Sequence, residues 1–116
     1  MKILKNMCLA SALILILTSS NVKAAWILGV GTESCGEVLS AINEEKQSGL
    51  GMDLVETVYM VWAQGYISAI NYYNDSDKGQ YFENPEELTD LVINTCEQNT
   101  EQYFIEAVDY VYENYL

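Results

Sequence analysis

Val55, Val58, Tyr59, Trp62, Tyr66, Ala69, Ile70 and Tyr73 recur at the spacing of one helix face, and nothing else in the chain constrains its fold more. A strand would alternate with period two, whereas steps of three and four fit a 3.6-residue helix. The run predicts the longest helix of the chain, Asp53–Tyr73, with Asp53 as its N-cap. Gly65 and Ala69 are small residues four apart. An interior Gly costs about 1 kcal/mol relative to Ala, so the pair predicts that another helix approaches closely there.

Three more segments carry the same period. Ser34-x-x-Glu37 is a capping-box pattern, followed by Cys35, Val38, Leu39 and Ile42 on one face. That helix should stop at Gln47-Ser48-Gly49, where Gly can turn left-handed. Asn84-Pro85-Glu86-Glu87 marks another start, with Asn84 capping and Pro85 at the first helical position. Leu88, Leu91, Val92 and Cys96 form its inner face. Asn99-Thr100 re-caps the chain, and Phe104, Ala107, Val108, Val111 and Tyr115 follow in helical register. Ala25–Gly31 reads as an extended arm, and Asn74–Glu83 as a polar surface loop. No segment alternates like a strand. The predicted fold is all-α: a small antiparallel four-helix bundle.

The first 24 residues stand outside that bundle. Lys2 and Lys5 precede the apolar run Met7–Leu17, and Val22-Lys23-Ala24 supplies small residues at the −3 and −1 positions of a cleavage site. The run is shorter than the roughly 20 residues a membrane span needs, so the segment reads as a secretory signal cut between Ala24 and Ala25. The mature protein is then one helical domain, 25–116, exported across the inner membrane and not embedded in it. Cys35 and Cys96 are the Cys residues that remain. In an exported chain with no His and no C-x-x-C pair, they read as a disulfide. Both lie on predicted apolar faces.

The charge excludes one partner class. Lys2, Lys5 and Lys23 leave with the signal, so Lys46 and Lys78 stand alone against 17 acids, a formal charge of −15. Nucleic-acid binding needs clustered Lys and Arg. Catalytic constellations are weak too. Without His there is no Ser-His or Cys-His couple, and the adjacent acids of Glu44-Glu45 and Glu86-Glu87 do not face each other on a helix. Asp75-Ser76-Asp77-Lys78-Gly79 lacks the ligand spacing of a calcium loop and reads as a solvated turn. No cofactor or metal site is expected, and the chain reads as a binding protein rather than an enzyme. Nine tyrosines bear on binding. Tyr59, Tyr66 and Tyr73 read as core, whereas Tyr72, Tyr81, Tyr110 and Tyr112 are hard to bury together and would serve as interface anchors.

The decamer Trp62-Ala63-Gln64-Gly65-Tyr66-Ile67-Ser68-Ala69-Ile70-Asn71 resembles the signature helix of the Rap/Tai family, W-x-Q-G-Y-[IL]-S-[AG]-x-N. The order of signal, Cys35, signature helix and Cys96 is similar over about residues 33–110. Rap/Tai proteins are small exported immunity proteins that protect bacteria from peptidoglycan amidases delivered by type VI secretion. The resemblance implies a structural role for Trp62, Gln64, Gly65, Tyr66, Ser68 and Asn71. It also implies a periplasmic protein, a possible homodimer, that pushes a loop into the active-site cleft of a toxin. A chain this acidic would steer a basic secreted toxin. The expected contacts lie around the Asn74–Glu83 loop, at Tyr72, Asp75, Asp77 and Tyr81. In plan the chain is also similar to periplasmic acid-stress chaperones of the Hde type, which are small, helical and carry a single disulfide.

Overall fold

The computed structural model describes residues 29–79 and 85–116. The predicted signal, its cleavage site at Ala24-Ala25, the cap Asn84 and the candidate contact Tyr81 lie outside these. A 3-10 turn, Gly29–Thr32, leads into four helices: α1 (Cys35–Gln47), α2 (Leu54–Asn74), α3 (Pro85–Gln98) and α4 (Phe104–Tyr115). They form a small antiparallel bundle with one disulfide, as the periodicity predicts. The chain reverses between successive helices. α2 and α4 therefore run side by side in the same direction, joined rung by rung: Tyr59 on Phe104, Tyr66 on Asp109 and Asn71 on Tyr112.

The capping box of α1 forms as read. The Ser34 amide donates to the Glu37 carboxylate at 2.8 Å, and the Glu37 amide donates to the Ser34 hydroxyl at 3.2 Å. These bonds hold the Glu37 carboxyl below its ordinary pKa, the backbone bond contributing most. Ser48 ends the helix, and Gly49 follows at φ +71°. The start of α2 differs from the expectation. Asp53 makes no side-chain cap bond. Glu45, near the end of α1, instead accepts the amides of Leu54 (3.0 Å) and Val55 (2.8 Å). A carboxylate there satisfies two orphan donors and opposes the positive end of the helix dipole.

The start of α4 also differs. Asn99-Thr100 does not cap it. The helix begins at Phe104 with Tyr103 as its N-cap residue, whose amide donates to the Glu106 carboxylate at 2.8 Å. The Asn99 side chain caps the Glu101 amide inside the connecting turn. That turn closes over the start of α1: Cys35 and Gly36 amides donate to the carbonyls of Gln102 and Thr100, and the Phe104 amide to that of Glu33. Directly beneath, the Cys35–Cys96 disulfide joins the first residue of α1 to the last turn of α3. One end of the bundle is thus tied by both covalent and backbone bonds.

The core centres on Phe104, which is fully buried. Tyr59 meets it edge-on at 5.4 Å and Trp62 at 5.8 Å, and Tyr66 stacks on Trp62 at 5.3 Å. The extended arm read for Ala25–Gly31 is not extended where it is described. Gly29–Thr32 turns back against Trp62, and Gly29 takes φ +78°, a conformation that favours glycine, with its Cα side facing the indole: a Cβ would lie 3.4 Å from the indole nitrogen. Two tyrosine hydroxyls leave the core for acceptors at its edge, Tyr59 to Glu33 and Tyr66 to Asp109.

Three expectations about which faces are buried need correction. On α2 the buried residues are Tyr59, Met60, Ala63 and Ile67, so the inner face lies roughly one residue's rotation, about 100°, round from the stripe that was read. Val58 and Tyr73 are exposed, as is Ala69. Apolar side chains lie on both the inner and the outer side of this helix, so the pattern does not fix its orientation. Gly65 meets no described neighbour: a Cβ there would find nothing within 4 Å. On α4, Tyr115 is exposed, whereas Tyr112, expected at the surface, is buried.

Candidate functional site

At the end of α2 the chain must turn without a glycine. Asp75 takes the left-handed conformation, φ +50°, and ends the helix. Asp and Asn tolerate that conformation better than most residues. The loop that follows is fastened from below by two side chains. The Asn71 amide donates to the Lys78 carbonyl at 2.8 Å. The Tyr112 hydroxyl lies 3.0 Å from the Asn71 carbonyl oxygen and 3.3 Å from the Ser76 hydroxyl. The Ser76 amide donates to the Asn71 backbone carbonyl at 2.9 Å.

Lys78 closes the arrangement. Its ammonium lies 3.3 Å from the Tyr112 carbonyl oxygen, 4.6 Å above the Tyr112 ring and 3.9 Å from Glu113. Lys46, the other lysine outside the predicted signal, is held by Glu56 at 3.3 Å. Lys46 and Lys78 thus each lie within ion-pair distance of an acid.

The consequence is that the described part of the loop, 75–79, has a fastened backbone and exposed acids. Asp75 and Asp77 are exposed on it. Tyr72 and Tyr73, the last aromatic pair of α2, are about nine-tenths exposed at 89% and 91%. The structure thus brings Tyr72, Asp75 and Asp77 to one end of the molecule. Tyr73 belongs with them, although periodicity assigned it to the core, because it lies on the side of α2 turned away from the buried residues Tyr59, Met60, Ala63 and Ile67. Beside the loop a hollow of about 210 Å³ is lined by Gln64, Ser68, Asn71, Lys78, Leu88 and Leu116, among others. Among the described residues, no three Cys, Asp or Glu side chains converge as metal ligands would. None of the described helices is long and apolar enough to cross a membrane.

The decamer that carries the family resemblance divides in two. Trp62 and Tyr66 are structural, built into the aromatic stack. Burial, helped by the Asp109 carboxylate, pushes the Tyr66 hydroxyl up to about 12. Tyr59 is likewise pushed up to about 12, chiefly by burial and then by Glu33. Asn71 is structural in another sense, since it positions the loop. Gln64, Gly65 and Ser68, expected to be structural as well, are exposed, and Ser68 merely bonds back to the Gln64 carbonyl. No family model, curated protein or solved structure matches this chain.

Proposed function

We propose that this chain is an exported binding protein that neutralises a basic, secreted cell-wall amidase by inserting the loop after α2 into the enzyme's cleft. The observation that carries the proposal is the fastened loop base: Asn71, Ser76 and Tyr112 hold the backbone while Asp75, Asp77, Tyr72 and Tyr73 remain outside. A backbone segment already held by hydrogen bonds, as 75–78 is, loses less entropy on association than a free one. Exposed tyrosines are frequent anchors of protein interfaces. The acids around them raise the encounter rate with a cationic partner and disfavour an acidic one.

The test is protection. Bacteria expressing the full coding sequence are challenged by an attacker that delivers a cell-wall amidase. Survival that falls when Asp75 and Asp77 are both replaced by Asn, with the protein still exported and folded, supports the reading. Equal survival with and without the gene, across the basic amidases tried, removes it.

The acid-chaperone alternative has less behind it. Such a protein would use positive charge gained in acid, and Lys46 and Lys78 supply little. Suppression of client aggregation at about pH 2–3, where carboxylates of ordinary pKa are neutral, and only there, would favour it.

A further inference from the structure

The outward face of α2 has the wrong composition for a face that meets only water. Val58, Val61 and Gly65 lie within an arc of about 60° on a straight helix. Val58 is 52% and Val61 61% exposed, and a Cβ on Gly65 would meet nothing within 4 Å. Trp62 borders this strip, and the described chain begins against it: a Cβ on Gly29 would lie 3.4 Å from the indole nitrogen. Val30 packs on the core and Gly31 is buried, so the point from which the preceding residues leave is fixed beside the strip. Those residues are Trp26, Ile27 and Leu28, three large apolar side chains in succession.

We propose that Trp26-Ile27-Leu28 folds back over this strip as a strap, with the Trp26 ring against Val58 and Gly65. Three observations choose this segment over a separate partner. The first is reach. Trp26 precedes Gly29 by three residues, so its backbone stays within about 10 Å of that glycine. Val58 and Gly65 lie about 6 Å and about 5 Å from Trp62 along the helix axis, whereas Tyr72 lies about 15 Å away. The strap therefore covers the middle of α2 and leaves Tyr72 beside its loop, where the proposed function needs it. The second is charge. Neither 57–74 nor 24–32 carries a charged side chain, so no charge loses its water when the two meet. A basic partner would gain nothing from a surface cleared of carboxylates. The third is tethering. A segment anchored beside its seat acts at an effective concentration of about millimolar, and a separate protein must displace it.

Gly65 then has a reason to be Gly that the described helices do not supply. With no side chain there, a flat aromatic ring can lie on the helix backbone beside Val58 and Val61, and a Trp ring brings more apolar area to that seat than any aliphatic residue. The inference stands apart from the amidase reading. A docked strap on a protein that inhibits nothing, or a loose one on a working inhibitor, tells the two apart.

The test is nuclear magnetic resonance on the protein expressed from its full coding sequence, with its first residue established by mass spectrometry. The expected result is a set of Overhauser contacts from the Trp26 ring protons to the methyls of Val58 or Val61 and to the Hα atoms of Gly65. Trp26→Ser should lower Tm by at least about 5 °C. Its effect should be non-additive with Val58→Ala and additive with Tyr72→Ala. Gly65→Leu, whose side chain has open space among the described residues, should abolish the Trp26 contacts. A Trp26 ring that touches nothing on α2, or that touches another element, overturns the proposal. So does a Trp26→Ser protein with unchanged Tm, a Gly65→Leu protein that keeps the contacts, or a purified chain that begins after Trp26. The spectra of the unaltered protein decide the outcome even where a variant fails to fold.

Discussion

Replacing Tyr112 by Phe removes one oxygen atom and leaves the ring under Lys78 in place. The hydroxyl lies within bonding distance of the Asn71 side-chain oxygen at 3.0 Å and of the Ser76 hydroxyl at 3.3 Å. A hydrogen bond between neutral groups contributes about 1 kcal/mol net. The longer contact to Ser76 adds a smaller amount, and Asn71, half-buried, is left with an acceptor that water reaches only in part. The sum is about 1.5 kcal/mol. For a domain of this size that is a fall in Tm of about 6–12 °C. The loss should be uneven. The amide of Ser76, bonded to the Asn71 carbonyl, should exchange with solvent faster than global unfolding explains. The amides of the tied end at Cys35, Gly36 and Phe104 should keep their protection relative to the global value. Thermal melting by circular dichroism gives the first number, and native-state hydrogen exchange gives the second. Tyr110→Phe, at an exposed position, is the control and should change neither. A Tyr112→Phe protein with unchanged Tm and unchanged exchange at Ser76 would refute the idea that these side chains fasten the loop.

Other outcomes follow from the same geometry. Glu45→Ala should destabilise the protein by about 1–2 kcal/mol, since two amides at the start of α2 lose their acceptor, whereas Asp53→Ala should do far less. Urea titration of both variants checks the contrast. Cutting the Cys35–Cys96 bond, by reduction or a double Ser substitution, should cost about 4 kcal/mol for a closed loop of this length, read from the shift in urea midpoint. In alkali, Tyr59 and Tyr66 hold their protons more tightly folded than unfolded. Their contribution is therefore complete below pH 10, the ordinary tyrosine value, and is lost as pH rises through about 12. Ultraviolet titration should show these two tyrosines ionising late and together with unfolding, and Tyr59→Phe should reduce that late fraction.

The helices were legible because period and caps agreed. Ser34-x-x-Glu37 announced α1 within a residue, and Pro85 did the same for α3. The disulfide was legible because, with Cys8 inside the predicted signal, Cys35 and Cys96 remained and both sat on apolar faces. α2 was legible as a helix but not in orientation. Apolar residues lie on both its sides, so Met60 and Ala63 inside could not be told from Val58 and Val61 outside until α1 and α4 were packed against it. Contacts that cross the chain were hidden for another reason. Glu45 capping α2 and Tyr112 reaching Asn71 each depend on a rotation that no local pattern records. The loop itself was recognisable from its Asp and Gly content, and Tyr72, Asp75 and Asp77 were named with it. Tyr73 was missed for the same reason as the orientation of α2, since it sits on the stripe that the packing turns outward.

Inhibition measured directly on a purified basic cell-wall amidase tests the central claim most closely. The account predicts stoichiometric inhibition by the wild-type protein, weakening as salt rises, and at least tenfold weaker inhibition when Asp75 and Asp77 are replaced by Asn. Inhibition that ignores both substitutions, or no inhibition of any such enzyme, would contradict it.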